Sequence, residues 1–388
     1  MKRLYALDTL RGVAALLIVI WHWQHFYAIG GTWPEGWQRS AQPFYAVLKP
    51  LYDAGWAAVD LFFALSGFIF FWLYAPAIRR GAVGFGKFAW LRFSRLYPLH
   101  LLTLIAVAML QYYFHRATGH YFIYDLNDAQ HFASSLVMAQ QWLPPTLAQT
   151  FNGPAWSVSI EVMLYCVFFL LCRLGLRGGW RSLLVSVPAI ALLWWNSFIA
   201  RGVMGFFLGG FLFSVTETVV TRPDAARIAR RLCAAAFVAW MPALLDCYFA
   251  PLHKAAYWLA GHVSDGGGRW YIANSDNVFL LLFIYIVSPL TILALALHER
   301  VLGGRWRRFS FLGDISYSTY MLHFPMQLSL ALLAAHFALT PAFFENGAAL
   351  IAFYAVLIGL GALSFNAFER PMQSRLRDLL GERSPAPN

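Results

Sequence analysis

The sequence predicts an all-α polytopic membrane protein of about ten transmembrane helices, with both termini in the cytoplasm. Of its 388 residues, 60% are hydrophobic and 12% are charged, whereas about a quarter of the residues in an average soluble domain are charged. Apolar windows of about 20 residues, long enough to cross a bilayer as a helix, recur from end to end. The basic residues are also divided unequally between the two sets of connecting segments, which is typical of membrane proteins.

The apolar windows and the basic residues together give the order and orientation of the helices. Spans are predicted near residues 10–28, 55–75, 96–115, 155–174, 181–199, 202–220, 230–249, 277–297, 313–337 and 345–367. With a cytoplasmic N-terminus, six of the 29 lysines and arginines fall in outer segments, Arg11 lies at the inner edge, and the remaining 22 fall in inner segments. We expect residues 1–375 to form the transmembrane domain and residues 376–388 a short polar cytoplasmic tail.

Net charge and cysteine positions argue against a nucleic acid partner and against a metal site. The net charge of +11 is explained by the positive-inside bias, so no nucleic acid partner is expected. The cysteines lie in or beside apolar segments without the spacing of metal ligands, and we interpret them as packing residues. They are Cys166, Cys172, Cys233 and Cys247. No metal site is predicted.

The first predicted helix carries Arg11 near one membrane surface and His22 deep in the bilayer. Eleven residues of helix turn the chain by about three turns plus ~20°, so both side chains lie on one face, ~16 Å apart in depth. Ionisable groups at such depth are costly unless they face a polar interior, which makes them functional candidates. The alternative is that Arg11 snorkels to the surface and His22 is a satisfied interior histidine.

Two further segments carry polar groups whose structural and functional readings both stay open. In the second helix, Ser66 and Gly67 suit close helix packing, whereas Asp60 would be an expensive unpaired carboxylate in the membrane. Arg92 and Arg95 lie at the end of the second inner loop, three residues apart and therefore neighbours, with donors suited to phosphate. Positive-inside anchoring is the alternative reading of this arginine pair.

The fourth and ninth helices complete a layer of ionisable groups. Glu161 lies five residues after Trp156 in the fourth helix, and His323 lies within the ninth. Counting ~1.5 Å per residue places His22, Asp60, Glu161 and His323 in the outer half of the bilayer. Arginines at the inner surface and a His–carboxylate layer beyond them suit an elongated anionic molecule that enters from the cytoplasm. The fifth to eighth helices are apolar and glycine-rich, and we interpret them as scaffold.

A proton-coupled secondary transporter is the main alternative, because it would also need intramembrane His, Asp and Glu. It predicts paired halves with inverted repeats, and residues 1–190 and 191–388 show no such correspondence.

Six motifs in this order resemble those of the acyltransferase-3 family, membrane O-acyltransferases that modify cell-surface carbohydrate. They are Leu7-Asp8-x-Leu10-Arg11-Gly12 with His22, Phe62-Phe63-x-Leu65-Ser66-Gly67-Phe68, Arg92-x-x-Arg95-Leu96-x-Pro98, Trp156-Ser157-x-x-x-Glu161-x-x-x-Tyr165, Ile315-Ser316-Tyr317-Ser318-x-Tyr320-x-x-His323-x-Pro325, and Glu369-x-Pro371. The chain departs from many members at Val162-Met163, where they carry a second acidic or polar residue. We expect a stand-alone form without a C-terminal esterase-like domain.

The resemblance implies transfer of an acyl group, most often acetyl, from cytoplasmic acyl-CoA to a hydroxyl of an extracytoplasmic carbohydrate or glycolipid. Acyl-CoA would be a co-substrate, with no permanently bound cofactor, and the protein would sit among the lipids of a bacterial-type inner membrane. His22 would be the base or the acylated nucleophile, and the sequence does not choose between direct transfer and an acyl-histidine. Asp60 or Glu161 would orient its ring.

The remaining site residues take supporting roles in the same scheme. Arg11 would serve both catalysis and CoA binding. The other CoA-binding residues would be Ser66, Arg92 and Arg95, and those that position the substrate would be Trp156, Tyr165 and His323.

Overall fold

A computed structural model of the protein describes residues 3–142, 149–263 and 276–379. Within these ranges the regular structure is helical, and the β-type pairing is confined to an isolated bridge between Ile29 and Thr32. The α-helices are α1 (Tyr5–His22), α2 (Tyr45–Ala54), α3 (Ala58–Leu73), α4 (Ala75–Arg79), α5 (Phe85–Thr118), α6 (Ala129–Leu136), α7 (Trp156–Arg173), α8 (Trp180–Ser186), α9 (Ser197–Val220), α10 (Ala225–Phe249), α11 (Pro251–Val263), α12 (Asp276–Arg300), α13 (Phe311–Asp314), α14 (Ser316–His336) and α15 (Gly347–Asp378). The predicted all-α membrane fold is confirmed.

Eight helical segments of the described chain are long and apolar enough to cross a membrane. They are Tyr5–Tyr27, Tyr45–Leu73, Phe85–Thr118, Gly153–Arg173, Ser197–Val220, Ala225–Phe249, Asp276–Arg300 and Gly347–Asp378. Two of the ten predicted spans are not among them. The segment Trp180–Trp194 is apolar but shorter, and consists of α8 followed by a 3₁₀-helix at Pro188–Trp194. Helix α14 has 21 residues, and its polar side chains make it less apolar than the others.

The helices differ in how much of their surface the protein itself covers. The apolar windows of α1, α9 and α12 are each 61% buried, whereas those of α10 and α15 are 22% buried. Helix α5 has one covered face and one uncovered face. Leu104 and Val107 are buried, whereas Leu102, Ile105 and Met109 are exposed. An exposed apolar stripe of this kind suits contact with lipid. Helices α10 and α15 therefore lie at the periphery, around a core that includes α1, α3 and α9.

Helices α3 and α9 pack closely because glycines remove the side chains between them. A Cβ atom on Gly67 would lie 1.8 Å from the carbonyl oxygen of Phe206, and one on Gly209 would lie 2.2 Å from that of Ala64. Only glycine allows such an approach of two backbones. The packing interpretation of Gly67 is therefore correct, and it places the neighbouring Ser66 on the side of α3 that faces other helices.

The start of α1 is held by the short helix α13 and by a carboxylate from α12. Glu299 accepts hydrogen bonds from the backbone N–H groups of Tyr5 and Ala6, at 3.1 and 2.6 Å. These donors belong to the first turn, which has no partners within its own helix. Glycine again allows a close crossing, since a Cβ on Gly313 would lie 2.3 Å from the carbonyl oxygen of Asp8. This crossing places Arg11 beside α13 and α14.

The end of the described chain returns to the helix bundle. Helix α15 contains a π-helical turn at Phe365–Glu369 and continues through Arg370–Asp378. The indole N–H of Trp90 donates a hydrogen bond to the backbone oxygen of Leu376, at 2.7 Å, and so ties this segment to α5. The predicted domain boundary at residue 375 thus falls inside a docked helix, and residues 380–388 of the predicted tail lie outside the described part.

Candidate active site

A cavity of about 550 Å³ opens among α1, α3, α5, α7, α14 and α15. Six of the predicted site residues line it: Arg11, Ser66, Arg92, Arg95, Glu161 and Tyr165. His22, Asp60, Trp156 and His323 do not contribute to its lining. The structure therefore divides the predicted residues into a cavity group, a histidine group beyond the cavity, and an ion pair to one side.

Arg11 is built into the end of the cavity that the charge distribution predicts to be cytoplasmic. Its Nη2 atom donates to the backbone oxygen of Gly313 at 2.8 Å and lies 3.1 Å from Asp8 Oδ1, while Nε donates to Ser316 Oγ at 3.1 Å. Arg3 pairs with Asp8 and Asp314 at the same end. Most of the hydrogen-bond donors of Arg11 are thus bonded within the protein, which favours a partly structural role for Arg11.

Arg92 and Arg95 line the same end of the cavity from α5, but in different environments. Arg92 donates a hydrogen bond to the Tyr74 hydroxyl, and its guanidinium lies 5.1 Å from the centre of the Phe70 ring and 4.8 Å from that of Tyr74. Arg95 makes no hydrogen bond or ion pair with another residue in the described ranges. An arginine without an internal partner beside a cavity is available to an anionic ligand.

Ser66 and Glu161 meet across the cavity wall. The Ser66 hydroxyl donates to Glu161 Oε1 at 2.7 Å, which joins α3 to α7. Both residues line the cavity, as does Tyr165 one turn further along α7. The structure therefore brings together a carboxylate and a hydroxyl that come from two separate sequence motifs.

A tyrosine and a serine stand between the cavity and the histidines. Tyr320 and Ser157 both line the cavity, and their hydroxyl oxygens are 2.8 Å apart. The Tyr320 hydroxyl also donates to the backbone oxygen of Pro154, which can only accept, so Ser157 is the donor to Tyr320. The centre of the Tyr320 ring lies 5.7 Å from that of His323. Tyr320 thus contacts both the cavity and the histidine group.

His22 and His323, predicted from separate helices, lie side by side. His22 Nδ1 is 3.2 Å from His323 Nε2, and the ring centres are 4.8 Å apart. Both side chains are buried, since 5% and 0% of these residues is exposed. His22 is therefore in direct contact with the second imidazole of the predicted site, and neither ring is open to bulk solvent.

Backbone carbonyls determine which nitrogen of each ring carries the proton. His22 Nδ1 lies 3.0 Å from the carbonyl oxygen of Ile18, and His323 Nδ1 contacts that of Tyr320. A carbonyl only accepts, so both neutral rings carry the proton on Nδ1. The single Nδ1–H of His22 is then shared between the Ile18 carbonyl and His323 Nε2, and His22 Nε2 keeps the lone pair that a base or a nucleophile needs. The resemblance predicts that a carboxylate, Asp60 or Glu161, orients the His22 ring, whereas in the structure the backbone carbonyl of Ile18 does so.

Asp60 is occupied by a different partner. Arg201 from α9 donates from Nε to Asp60 Oδ1 at 2.9 Å and from Nη2 to Oδ2 at 2.8 Å. The side chain of Asp60 is 0% exposed and that of Arg201 12%. The Arg201 guanidinium also lies 5.0 Å from the ring centre of Trp56 and 5.3 Å from that of Trp156. Asp60 and Trp156 thus pack around the Arg201 guanidinium instead of lining the cavity.

Arg201 is one of the six basic residues that the sequence analysis counts in outer segments, because the sixth span is predicted to begin at residue 202. That boundary is wrong. Helix α9 begins at Ser197, where the side chain of Asn196 accepts the N–H of Ile199 at 3.1 Å. An asparagine that caps the helix five residues earlier was the signal available in the sequence. The fifth to eighth helices are consequently more than scaffold.

Two other residues of the histidine group were also missed. His25 Nδ1 lies 3.2 Å from Gln327 Oε1, and Gln327 Nε2 donates to the backbone oxygen of His22 at 3.0 Å. The ring centres of His22 and His25 are 4.9 Å apart. His25 stands one turn after His22, a spacing that brings side chains together on a helix. Nothing in the sequence marks Gln327. No group of side chains in the described ranges could hold a metal ion.

Comparisons with known proteins agree with this architecture. The sequence profile of a family described as "Acyltransferase domain" matches residues 4–365. "Protein 2 in picA locus" of Rhizobium radiobacter is 32% identical over 203 residues, which are 50% of this chain and 94% of that protein. "Acyltransferase MdmB" of Streptomyces mycarofaciens is 29% identical over 205 residues, which are 52% of this chain and 45% of that protein. No solved structure matches the chain.

Proposed function

Because this chain belongs to the acyltransferase-3 family and is therefore a membrane-embedded acyltransferase, we propose that it transfers an acyl group from cytoplasmic acyl-CoA to a hydroxyl outside the cytoplasm. The acceptor is a carbohydrate or a glycolipid, and acetyl is the first acyl group to test. The cell membrane in question is a bacterial-type inner membrane. A proton-coupled transporter is not favoured, because the family match accounts for the motifs that carry the ionisable groups.

One observation carries this proposal. The cavity extends from the arginines at its predicted cytoplasmic end to Tyr320 and Ser157, and His323 and His22 lie directly behind that pair. CoA has phosphates at one end and a reactive thioester at the end of a long pantetheine arm. Arg92 and Arg95 suit the phosphates, since guanidinium groups pair well with phosphate oxygens. The arm would then point along the cavity towards the histidines.

The lone pair on His22 Nε2 supplies the chemistry. In direct transfer it accepts the proton of the acceptor hydroxyl while that oxygen attacks the thioester carbonyl; the C–S bond breaks and CoA leaves as a thiolate. In the two-step route Nε2 attacks the carbonyl first, and the C–S bond breaks so that CoA leaves as a thiolate. The acceptor oxygen then attacks the acyl-imidazole carbonyl, the C–N bond breaks, and the hydroxyl proton passes to the freed Nε2. Both routes need the acyl group to pass the Ser157–Tyr320 hydrogen bond, so this pair would have to separate during turnover.

Mass spectrometry of envelope glycans tests the function directly. Cells with and without the gene are compared for ester-linked mass increments that alkali removes. We expect such an increment to disappear when the gene is deleted and to return with the wild-type chain. Envelope glycans and glycolipids that are identical in both strains would contradict the proposed acceptor class.

A further inference from the structure

One wall at the arginine end of the cavity comes from the last described helix, beyond the residues that the family profile covers. Arg370, Gln373 and Arg377 line the cavity, whereas the profile match ends at residue 365. Steps of three and seven residues place these side chains on one helix face. Arg375 lies about 140° around the helix from Arg370. It is exposed and does not line the cavity.

Contacts from two other helices hold this segment in place. Trp90 of α5 donates to the backbone oxygen of Leu376 at 2.7 Å. At the π-helical turn, Glu369 accepts hydrogen bonds from Ser318 of α14 and, at 2.9 Å, from Ser364. A π-helical turn in an otherwise regular helix frequently marks a functional site. The segment is thus anchored on both sides of Arg370 and Gln373, which gives its cavity face a defined position.

The charges at this end of the cavity are only partly neutralised within the protein. Arg3 and Arg11 are paired with Asp8, and Arg3 also with Asp314. Arg370, like Arg95, makes no ion pair with any residue in the described ranges, and Gln373 makes no hydrogen bond there through its side chain. A cationic cavity end with donors that lack partners favours an anion of several charges.

We propose that Arg370 and Gln373 bind phosphate groups of the nucleotide part of acyl-CoA, together with Arg92 and Arg95 on the neighbouring helix α5. This inference rests on the proposed function, because it assigns a subsite of the same donor. The segment Arg370–Asp378 then completes the nucleotide site, and Trp90 is a positioning residue that acts through Leu376. Arg375 points elsewhere and takes no part.

Equilibrium binding to the purified full chain in lipid nanodiscs tests this assignment. The probes are radiolabelled CoA and, as a competitor, adenosine 3′,5′-bisphosphate, which carries the nucleotide end alone. We expect Arg370→Gln to raise the Kd of both probes roughly tenfold, as for one lost charge-assisted hydrogen bond. The matched control Arg375→Gln, with the same charge change on the same helix, should leave both Kd values unchanged. Gln373→Ala should raise them by a smaller factor.

Trp90→Phe gives an independent readout, because it removes the indole N–H while keeping an aromatic ring. We expect the penalty of Arg370→Gln to shrink towards none in the Trp90→Phe background, which a loss of general stability would not produce. Equal weakening by Arg370→Gln and Arg375→Gln would overturn the inference, and so would no weakening by either while the wild type binds CoA. A wild-type chain that does not bind CoA would overturn the proposed function as well.

Discussion

Among the single residues, Asp60 was predicted to be catalytic, but its ion pair with Arg201 indicates a structural role. Asp60 is fully buried, with both oxygens bonded to one guanidinium. A carboxylate whose two oxygens are both bonded to a guanidinium is poorly placed to accept a proton from an imidazole. Its position between α3 and α9, beside the close glycine contacts, indicates that it holds these helices together.

We predict that Asp60→Asn lowers the stability of the folded protein, because it leaves a buried guanidinium without its counter-charge. Removing one partner of a buried pair typically costs about 3–5 kcal/mol. The measurement is the thermal unfolding temperature of the purified protein in detergent. Asp224→Asn is the matched control, since Asp224 pairs with Arg222 at 2.8 Å where both side chains are exposed. Its unfolding temperature should stay that of the wild type.

An Asp60→Asn protein that keeps the wild-type unfolding temperature but loses acyl transfer would restore Asp60 to a catalytic role. Loss of stability together with retained transfer would support the structural assignment.

At the scale of elements, the glycine contacts between α3 and α9 set the geometry of the cavity. Ser66 adjoins Gly67 in the sequence and reaches Glu161 on α7, so any separation of α3 from α9 would move the Ser66–Glu161 contact. The close crossing of α1 and α13 likewise fixes the position of Arg11, which bonds to the backbone oxygen of Gly313. The site therefore depends on backbone contacts that lie outside it.

We predict that Gly67→Ala destabilises the protein by at least about 2 kcal/mol, because the added methyl group would overlap the Phe206 carbonyl. Gly359→Ala in α15 is the control, because a Cβ atom at Gly359 meets nothing within 4 Å. It should leave stability unchanged or raise it slightly, since alanine is the better helix former. Thermal unfolding of both variants in one detergent provides the comparison, and equal unfolding temperatures would refute the packing account.

The helices were largely predictable from the sequence, whereas the pairing of polar groups was not. Runs of apolar residues identify a membrane helix from local sequence, because the bilayer requires a minimum length. The partner of Asp60 lies 141 residues away in the chain, and no local pattern reports it. The same holds for Gln327, which bonds to His22. His22 and His323 were selected by depth, but their direct contact depends on the rotation of two helices, which depth does not give.

Across the whole molecule, the charge distribution predicts that the arginine end of the cavity faces the cytoplasm. Arg3, Arg92, Arg95, Arg370 and Arg377 all line that end. They come from the N-terminus, the second predicted inner loop and the C-terminal helix. A single inner surface shared by these segments is what the positive-inside rule predicts.

We predict that both chain termini are cytoplasmic. Fusions of a periplasm-active reporter after residue 379 should be inactive, whereas the same reporter within residues 29–54, the first predicted outer segment, should be active. Fusions of a cytoplasm-active reporter should show the reverse pattern. A C-terminal fusion active in the periplasm would contradict the topology and reverse the side from which acyl-CoA enters.

We predict that His22 performs the chemistry on an acyl donor held by the arginine end of the cavity. The most direct measurement compares acyl-CoA binding and acyl transfer by purified wild-type, His22→Ala and His22→Gln protein. Losing a general base alone costs roughly 10²–10⁴-fold in rate. We predict a fall of at least that size for both variants, with acyl-CoA affinity close to that of the wild type. Normal transfer by His22→Ala would contradict the account, and loss of acyl-CoA binding would make His22 a structural residue.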